Sequence, residues 1–275
     1  MHLSPLRDDP LTLYEASVLS TEFDLDFIER AYRAARGRGF TRLREDFCGT
    51  AALACAWALR KPTNTAIGVD HDLKVLAWAR RHHLASMREA ARRVTLARHD
   101  VRRVTRPPVD VVVALNFSYW VFHERDGLRR YFSAARRSLR AGGMLVVNAF
   151  GGTEAIDVIE ERRRIPASQG PDGLRIPGFT YVWEHESFNP VDHRIRCAIH
   201  FRLANGRWMR RAFHYDWRLW TLPEIREVMR EAGFRDTHVY AQGWDEGRME
   251  GDGRFRRTES FANQAGWLTY VVGLK

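Results

Sequence analysis

Between residues 45 and 72 the chain places a carboxylate, a run of mostly small residues and a second carboxylate at intervals that suit a bound nucleotide. Glu45 precedes Phe47-Cys48-Gly49-Thr50-Ala51, and Asp70-His71-Asp72 begins 25 residues after Glu45. Small residues in a turn let backbone N–H groups approach a ligand, and a helix opening there adds unpaired N–H groups of its own. A carboxylate at position 70 stands where it can accept hydrogen bonds from both hydroxyls of a ribose. Three elements must position these groups. They are a strand over 41–47, a helix after Thr50 running through Trp57 to Arg60 and broken by Lys61-Pro62-Thr63-Asn64, and a strand over 65–70. Together they form half of a nucleotide-binding βαβ unit. The G-x-G-x-x-G spacing of dinucleotide enzymes is absent, which argues against a dinucleotide.

Phe47-Cys48-Gly49-Thr50-Ala51 resembles the first motif of class I S-adenosylmethionine-dependent methyltransferases, an acidic residue, one apolar residue and then G-C-G-T-G. Glu45 takes the acidic place. Phe47 and Ala51 replace the outer two glycines, and a Phe in the turn is expected to remove the freedom to take positive φ, so the loop need not have the usual shape. Further motifs follow in order. Residues 93–98 form a third strand ending at His99-Asp100-Val101, where the family places an acid against the adenine amino group. Asp110–Leu115 is a continuous apolar strand, as a central parallel strand should be. It ends in Asn116-Phe117-Ser118-Tyr119-Trp120, the place of the family's fourth motif, beside the transferred methyl group. Leu139-x-x-Gly-Gly-x-Leu145 strengthens the likeness.

The resemblance covers about 40–150 and 221–275. It implies S-adenosylmethionine as cofactor, held by Tyr14, Glu45, Phe47, Cys48, Gly49, Thr50, Asp70, His71, Asp100, Val101, Asn116 and Phe117. Tyr14 belongs to a helix before the first strand that closes over the cofactor in many small-molecule relatives. The Asn/Asp-Pro-Pro-Tyr signature of DNA amino methyltransferases and a Pro-Cys nucleophile are both absent.

The expected fold is α/β: a seven-stranded Rossmann-like methyltransferase sheet with an antiparallel β insertion after strand 5. Residues 11–36 read as helical and 124–140 as a helix closed by Ala141-Gly142-Gly143. Met144–Phe150 is the fifth strand. Residues 160–178, charged and rich in Pro and Gly, read as loop. Three runs of period two follow, with Tyr181, Trp183 and His185 on one face of the first, Ile195 to Leu203 on the second, and Met209 to Leu219, including Tyr215 and Trp217, on the third. Asn205-Gly206 is a hairpin signal. Thr221-Leu222-Pro223-Glu224 starts a helix. Thr237–Tyr240 and Trp267–Leu274 are the sixth and seventh strands, with a polar loop at 242–264 between them. The domains are then 1–40, a helical lid; 41–150 with 221–275, the cofactor domain; and 151–220, a substrate cap. The insertion and the 242–264 loop are expected to enclose the acceptor.

Methyl transfer from a sulfonium is an in-line displacement, so alignment and desolvation are the protein's main tasks. A base is needed where the acceptor must lose a proton. His123 and His185, with Asn116, are the catalytic candidates, and His214 lies nearby in sequence. Tyr119, Tyr181, Trp183, Tyr215 and Trp217 are the substrate candidates, since an aromatic wall suits a flat or cationic small molecule.

The formal charge is +10, yet of 44 basic residues only Lys61, Lys74 and Lys275 are lysine, and the arginines are spread along the chain. That pattern fits coding bias, and nucleic acid is an unlikely partner. Cys48, Cys55 and Cys197 and the histidines have no metal spacing. No secretory signal and no membrane span are expected, and a reduced cytoplasm fits best. The sequence therefore points to a methyltransferase acting on an oxygen or nitrogen of a small-molecule acceptor. An RNA or protein methyltransferase using the arginine surface, or a non-catalytic cofactor-binding protein, are the alternatives.

Overall fold

The computed structural model describes residues 8–170, 173, 175–245 and 250–275. The chain opens with two helices, α1 (Pro10–Val18) and α2 (Thr21–Arg36), interrupted at Leu19-Ser20. Five strands and three helices then alternate: β1 (Arg42–Asp46), α3 (Ala52–Arg60), β2 (Thr65–Asp70), α4 (Leu73–His82), β3 (Val94–Arg98), β4 (Val109–Ala114), α5 (Arg125–Ser138) and β5 (Leu139–Gly151). The insertion carries β6 (Glu160–Ile165), β7 (Ser168–Gln169), β8 (Arg175–Ile176), β9 (Phe179–Phe188), β10 (Arg194–Arg202) and β11 (Trp208–Arg218). The chain closes with α6 (Leu222–Glu231), β12 (Asp236–Asp245), β13 (Glu250–Thr258) and β14 (Trp267–Leu274).

The main sheet has eight strands in the order β13-β12-β14-β5-β4-β1-β2-β3. β14 runs antiparallel to both its neighbours, β13 is antiparallel to β12, and β1 to β5 are mutually parallel. The chain winds away from β1 in one direction and from β4 in the other. The gap between those two strands is the switch point where such sheets bind ligands, at the carboxyl ends of the strands. β4 is buried at every residue, so its unbroken valine run is what a strand covered on both faces requires. Helices α2, α3 and α4 cover one face, through residues such as Phe27, Trp57 and Leu76. Helices α5 and α6 cover the other, through Leu128, Phe132, Ile225 and Val228. A capping box between Thr221 and Glu224 starts α6.

The insertion forms a four-stranded antiparallel sheet in the order β11-β10-β9-β6. It has one strand more than the three runs of period two provide. β6 hides in the sequence because five of its six residues are exposed and charged, as an edge strand that must resist further pairing often is. Likewise β13 occupies part of the stretch read as the loop 242–264, of which 246–249 lie outside the described residues. Its apolar anchor is Phe255, packed edge-on against Tyr270 at 4.7 Å and Phe27 at 6.0 Å. The main sheet thus gains an eighth strand at its edge. Ala141-Gly142-Gly143 lies inside β5, which begins directly after α5. Among the described residues no helix is long and apolar enough to cross a membrane.

Candidate active site

At the carboxyl ends of β1 and β2 the polar groups are held by backbone. Asp70 accepts the Gly49 N–H on Oδ2 and the Asp72 N–H on Oδ1, each at 2.9 Å. Both contacts leave carboxylate lone pairs for a ligand's hydroxyl donors. Glu45 accepts the Ala54 N–H at 2.9 Å, so it satisfies one of the orphan donors at the start of α3. Burial pushes its carboxyl up to about 8, opposed by that hydrogen bond and reinforced by the charges of Asp70, Asp24 and Asp46. Asp46 serves the core instead: its Oδ1 pairs with Arg44 at 2.6 Å and its Oδ2 accepts from Tyr131 at 3.0 Å.

The loop itself corrects an expectation. Phe47 (φ 54°), Gly49 (φ 51°) and Ala51 (φ 58°) are all left-handed, so the two replaced glycines keep a glycine-like backbone. Packing holds the strain in place. The Phe47 ring lies edge-on to Tyr131 at 5.7 Å and to Phe122 at 6.1 Å, and Ala51 is fully buried. Cys48 and Thr50 are buried too, and burial pushes the Cys48 thiol well up, which keeps it un-ionised. Val101 is buried, and its carbonyl accepts from Arg44 at 2.6 Å. His71 is largely exposed, its Nδ1 3.5 Å from Asp70. Asp100 is half exposed and gripped by Arg102 through contacts of 2.5 and 3.0 Å, which hold its carboxyl below the usual range.

Beside this crevice lies a cavity of about 740 Å³. Asn116 (φ 53°) and Phe117 (φ 58°) leave β4 in left-handed conformations and form its floor. The Phe117 N–H donates to Asn148 Oδ1 on β5 at 3.1 Å, which fixes the bend. The insertion sheet contributes Tyr181, Trp183, Tyr215 and Trp217, all in the lining, with Tyr215 and Trp217 stacked at 4.2 Å. Tyr14 reaches the same space from α1, packs on Phe213 at 4.9 Å, and accepts a hydrogen bond from the Tyr215 hydroxyl. Tyr14, expected over the cofactor, lies in the wall of this cavity. Helix α1 also touches α4: Trp78 Nε1 donates to Asp9 at 2.9 Å, and His83 Nε2 lies 2.6 Å from Glu15.

His185 is the polar feature of this cavity. The ring is 3% exposed, with Nδ1 at 3.2 Å from the Asp157 carbonyl and a buried Nε2 that meets no partner among the described residues. A carbonyl can only accept, so Nδ1 carries the hydrogen and Nε2 is left as a lone pair. Burial lowers the imidazole's pKa and keeps it neutral.

Two candidates lie elsewhere. Tyr119 is fully buried and donates to the Asn148 carbonyl at 3.0 Å, so it supports the floor from beneath without lining it. His123 contacts the Asp216 carbonyl at 2.8 Å and does not line the cavity, because the 3₁₀ turn over Ser118–Val121 carries it outward. His214 is exposed on the far face of β11. Among the described residues of the 242–264 stretch none lines the cavity; Ala265 to Leu268 do.

Sequence reading passed over Phe150, Glu154, Glu161, Arg162, Arg163 and Trp267, which also line the cavity. One signal was present in Gly151-Gly152. A Cβ at Gly151 would come within 2.2 Å of the Trp267 ring, so only glycine lets that indole lie across the end of β5.

Residues 46–147 match the family described as methyltransferase domain. No curated protein matches the chain by sequence. Among solved structures, the chain is similar to S-adenosylmethionine-bound CalS10, an amino pentose methyltransferase from Micromonospora echinaspora, at 20% identity and TM-score 0.67 over 99% of this chain and 100% of that one. It is also similar to the sugar N-methyltransferase KedS8 from Streptoalloteichus, at 16% identity and TM-score 0.64 over 100% and 96%. A third likeness is to an S-adenosylmethionine-dependent methyltransferase from Clostridium acetobutylicum, at 16% identity and TM-score 0.65 over 95% and 96%.

Proposed function

We propose that this chain, a class I S-adenosylmethionine-dependent methyltransferase, methylates the nitrogen of a small amine held in the cavity above Asn116 and Phe117. The cofactor supplies a methyl group on a sulfonium. The donor set fits it: Asp70 offers a buried carboxylate with spare lone pairs, and the left-handed loop 47–51 turns a helix N-terminus toward the same crevice. In this reading Glu45, Gly49, Asp70 and Asp100 hold the cofactor, α1 is the lid, 41–150 with 221–275 form the cofactor domain, and 151–220 cap the acceptor.

The observation that carries the reading is the neutral His185 in the lining of an aromatic cavity, its buried Nε2 without a hydrogen-bond partner among the described residues. An amine in water is protonated and has no lone pair to attack with. In this reading a small turn of the His185 ring uncovers Nε2 to the cavity, where it takes that proton, and the imidazolium it becomes is steadied by the Asp157 carbonyl on Nδ1. Trp183 and Tyr215 present rings that attract the ammonium before it is deprotonated, while Arg163 already lies over the Tyr181 ring at 5.2 Å. Glu154 and Glu161 add carboxylates that meet no cation among the described residues. Arg162 and Arg163 line the same cavity and balance those carboxylates, so the preference for nitrogen over oxygen rests on the aromatic rings and the neutral imidazole. The cavity's volume is that of a small-molecule site.

The test measures S-adenosylhomocysteine formed with a panel of primary and secondary amines and their matching alcohols. Amines should turn over and alcohols should not. The rate should fall only below about pH 6.5, since burial lowers the His185 pKa from its ordinary value. His185→Gln should lose roughly 10²–10⁴-fold in rate with cofactor affinity unchanged. Transfer to alcohols alone, or a His185→Gln variant with full rate and an unchanged pH profile, would sink the proposal.

A further inference from the structure

A strongly basic surface lies outside the candidate active site. Arg102, Arg129, Arg130, Arg136 and Arg137 surround a cleft of about 610 Å³ along α5. A second cleft of about 600 Å³ adjoins it, with Arg106, Arg140, Lys275 and again Arg137 in its wall. No acidic, aromatic or amide side chain lines either cleft. Arg129 and Arg136 lie two helical turns apart on one line of α5, and Arg130 with Arg137 on the next, so the guanidinium roots are spaced by about 10 Å along the axis.

Internal pairing compensates only part of this charge. Arg102 is held by Asp100, Arg129 and Arg130 share Asp126, and Arg140 meets Asp110. Arg106, Arg136, Arg137 and Lys275 have no carboxylate partner among the described residues. Arg136 Nε is buried and unpartnered, its guanidinium pressed against Gly233. Lys275 spends its Nζ on the carbonyls of Arg136 and Leu139, at 2.9 and 2.5 Å. Its pKa is pulled down first by burial and then by the positive charges of Arg136 and Arg106. Elsewhere arginines are matched more fully, as Arg60 is by Glu22, Asp26 and Glu29.

We propose that these two joined clefts bind a compact polyphosphate, an inorganic chain or the phosphates of a nucleotide. Guanidinium groups suit phosphate because each presents paired N–H donors in a plane. The spacing along α5 lets several linked phosphates bridge groups that one phosphate cannot. The absence of aromatic and amide side chains means that charge is read and bases are not. Two bounded concavities favour a short ligand over a long strand.

The test is calorimetry of the full chain with inorganic tripolyphosphate at about 50 and 150 mM salt, where screening separates a surface site from a buried one. Binding is expected, weaker at the higher salt. Arg137 and Arg106 are exposed, so their variants keep the fold. Arg137→Glu should weaken binding at least tenfold, because it serves both clefts, and Arg106→Glu by a smaller factor. Arg202→Glu, which changes net charge equally on the exposed insertion, should change it less than twofold. ATP should match tripolyphosphate within about threefold. The site is refuted if tripolyphosphate gives no binding at 50 mM salt, or if Arg137→Glu behaves as Arg202→Glu does. It is refuted equally if ATP binds while tripolyphosphate does not, or if a short RNA duplex binds tenfold tighter than either.

Discussion

Replacing Glu45 by Gln tests how the fold holds a carboxyl beneath the cofactor loop. Burial raises this group from an ordinary 4.5 to about 8. A raised carboxyl means that the folded chain keeps a proton the unfolded chain has released. Its contribution is fully present below pH 4.5 and is lost as pH rises through 8. The difference is 3.5 units, and each unit corresponds to about 1.4 kcal/mol. The ceiling is therefore about 5 kcal/mol of stability lost between pH 4.5 and pH 9, and relaxation around a buried charge lowers it. Gln keeps an oxygen for the Ala54 N–H and carries no charge, so the variant lacks this slope. Asp24 and Asp46, each raised to about 6, titrate in both proteins and cancel in the difference. Urea unfolding of the cofactor-free chain at pH 5, 7 and 9 measures it. Wild type and Glu45→Gln should be close at pH 5, and the variant should be more stable by at least about 2 kcal/mol at pH 9. Stability curves that run parallel from pH 5 to pH 9 would refute the reasoning.

Other substitutions separate holding the cofactor from enclosing the acceptor. Asp70→Ala should weaken S-adenosylhomocysteine by roughly 1–3 kcal/mol, measured by calorimetry on a variant whose melting temperature shows an intact fold. Unchanged affinity there would place the cofactor elsewhere. Trp217, 4% exposed and packed edge-on to Phe117 and Trp120, should cost about 3–5 kcal/mol of stability when cut to Ala. Tyr181→Ala should cost less stability and raise the acceptor KM, with cofactor affinity unchanged; a Tyr181→Ala variant with normal kinetics would remove that side chain from acceptor binding.

The parallel sheet was legible because its signals are short-range. A buried strand such as β4 has to be apolar throughout, and a turn between strand and helix has to be small. The loop at 47–51 defeated that logic, since tertiary packing around Phe47 and Ala51 enforces a backbone that their side chains oppose. β6 and β13 were illegible for a different reason. An edge strand is paired on one side only, and its exposed residues carry charge instead of alternation. Of the histidines, spacing could not separate His123 from His185. One sits two residues beyond a 3₁₀ turn that points it outward, while the other lies on the inward face of β9, set by the register Cys197↔His185.

The aromatic insertion poses the choice between a private core and a ligand wall, and one face of one sheet does both in sequence. At its outer end Phe179, Ile199 and Phe201 pack on Leu13 of α1 and form a core of their own. At its inner end Ile195, Cys197 and Trp217 join the core of the main sheet. Between them Tyr181, Trp183 and Tyr215 are half-buried, His185 is buried beside them, and the cavity lies over this middle stretch. Alternating hydrophobics always need one buried face. Here the two ends of that face meet the requirement, which releases the middle to carry polar edges, a neutral imidazole and the Tyr215 hydroxyl bonded to Tyr14 of α1. The insertion is anchored at both ends, which holds its wall in place over the cavity, and in the proposed function a fixed wall is what in-line transfer needs to aim the acceptor.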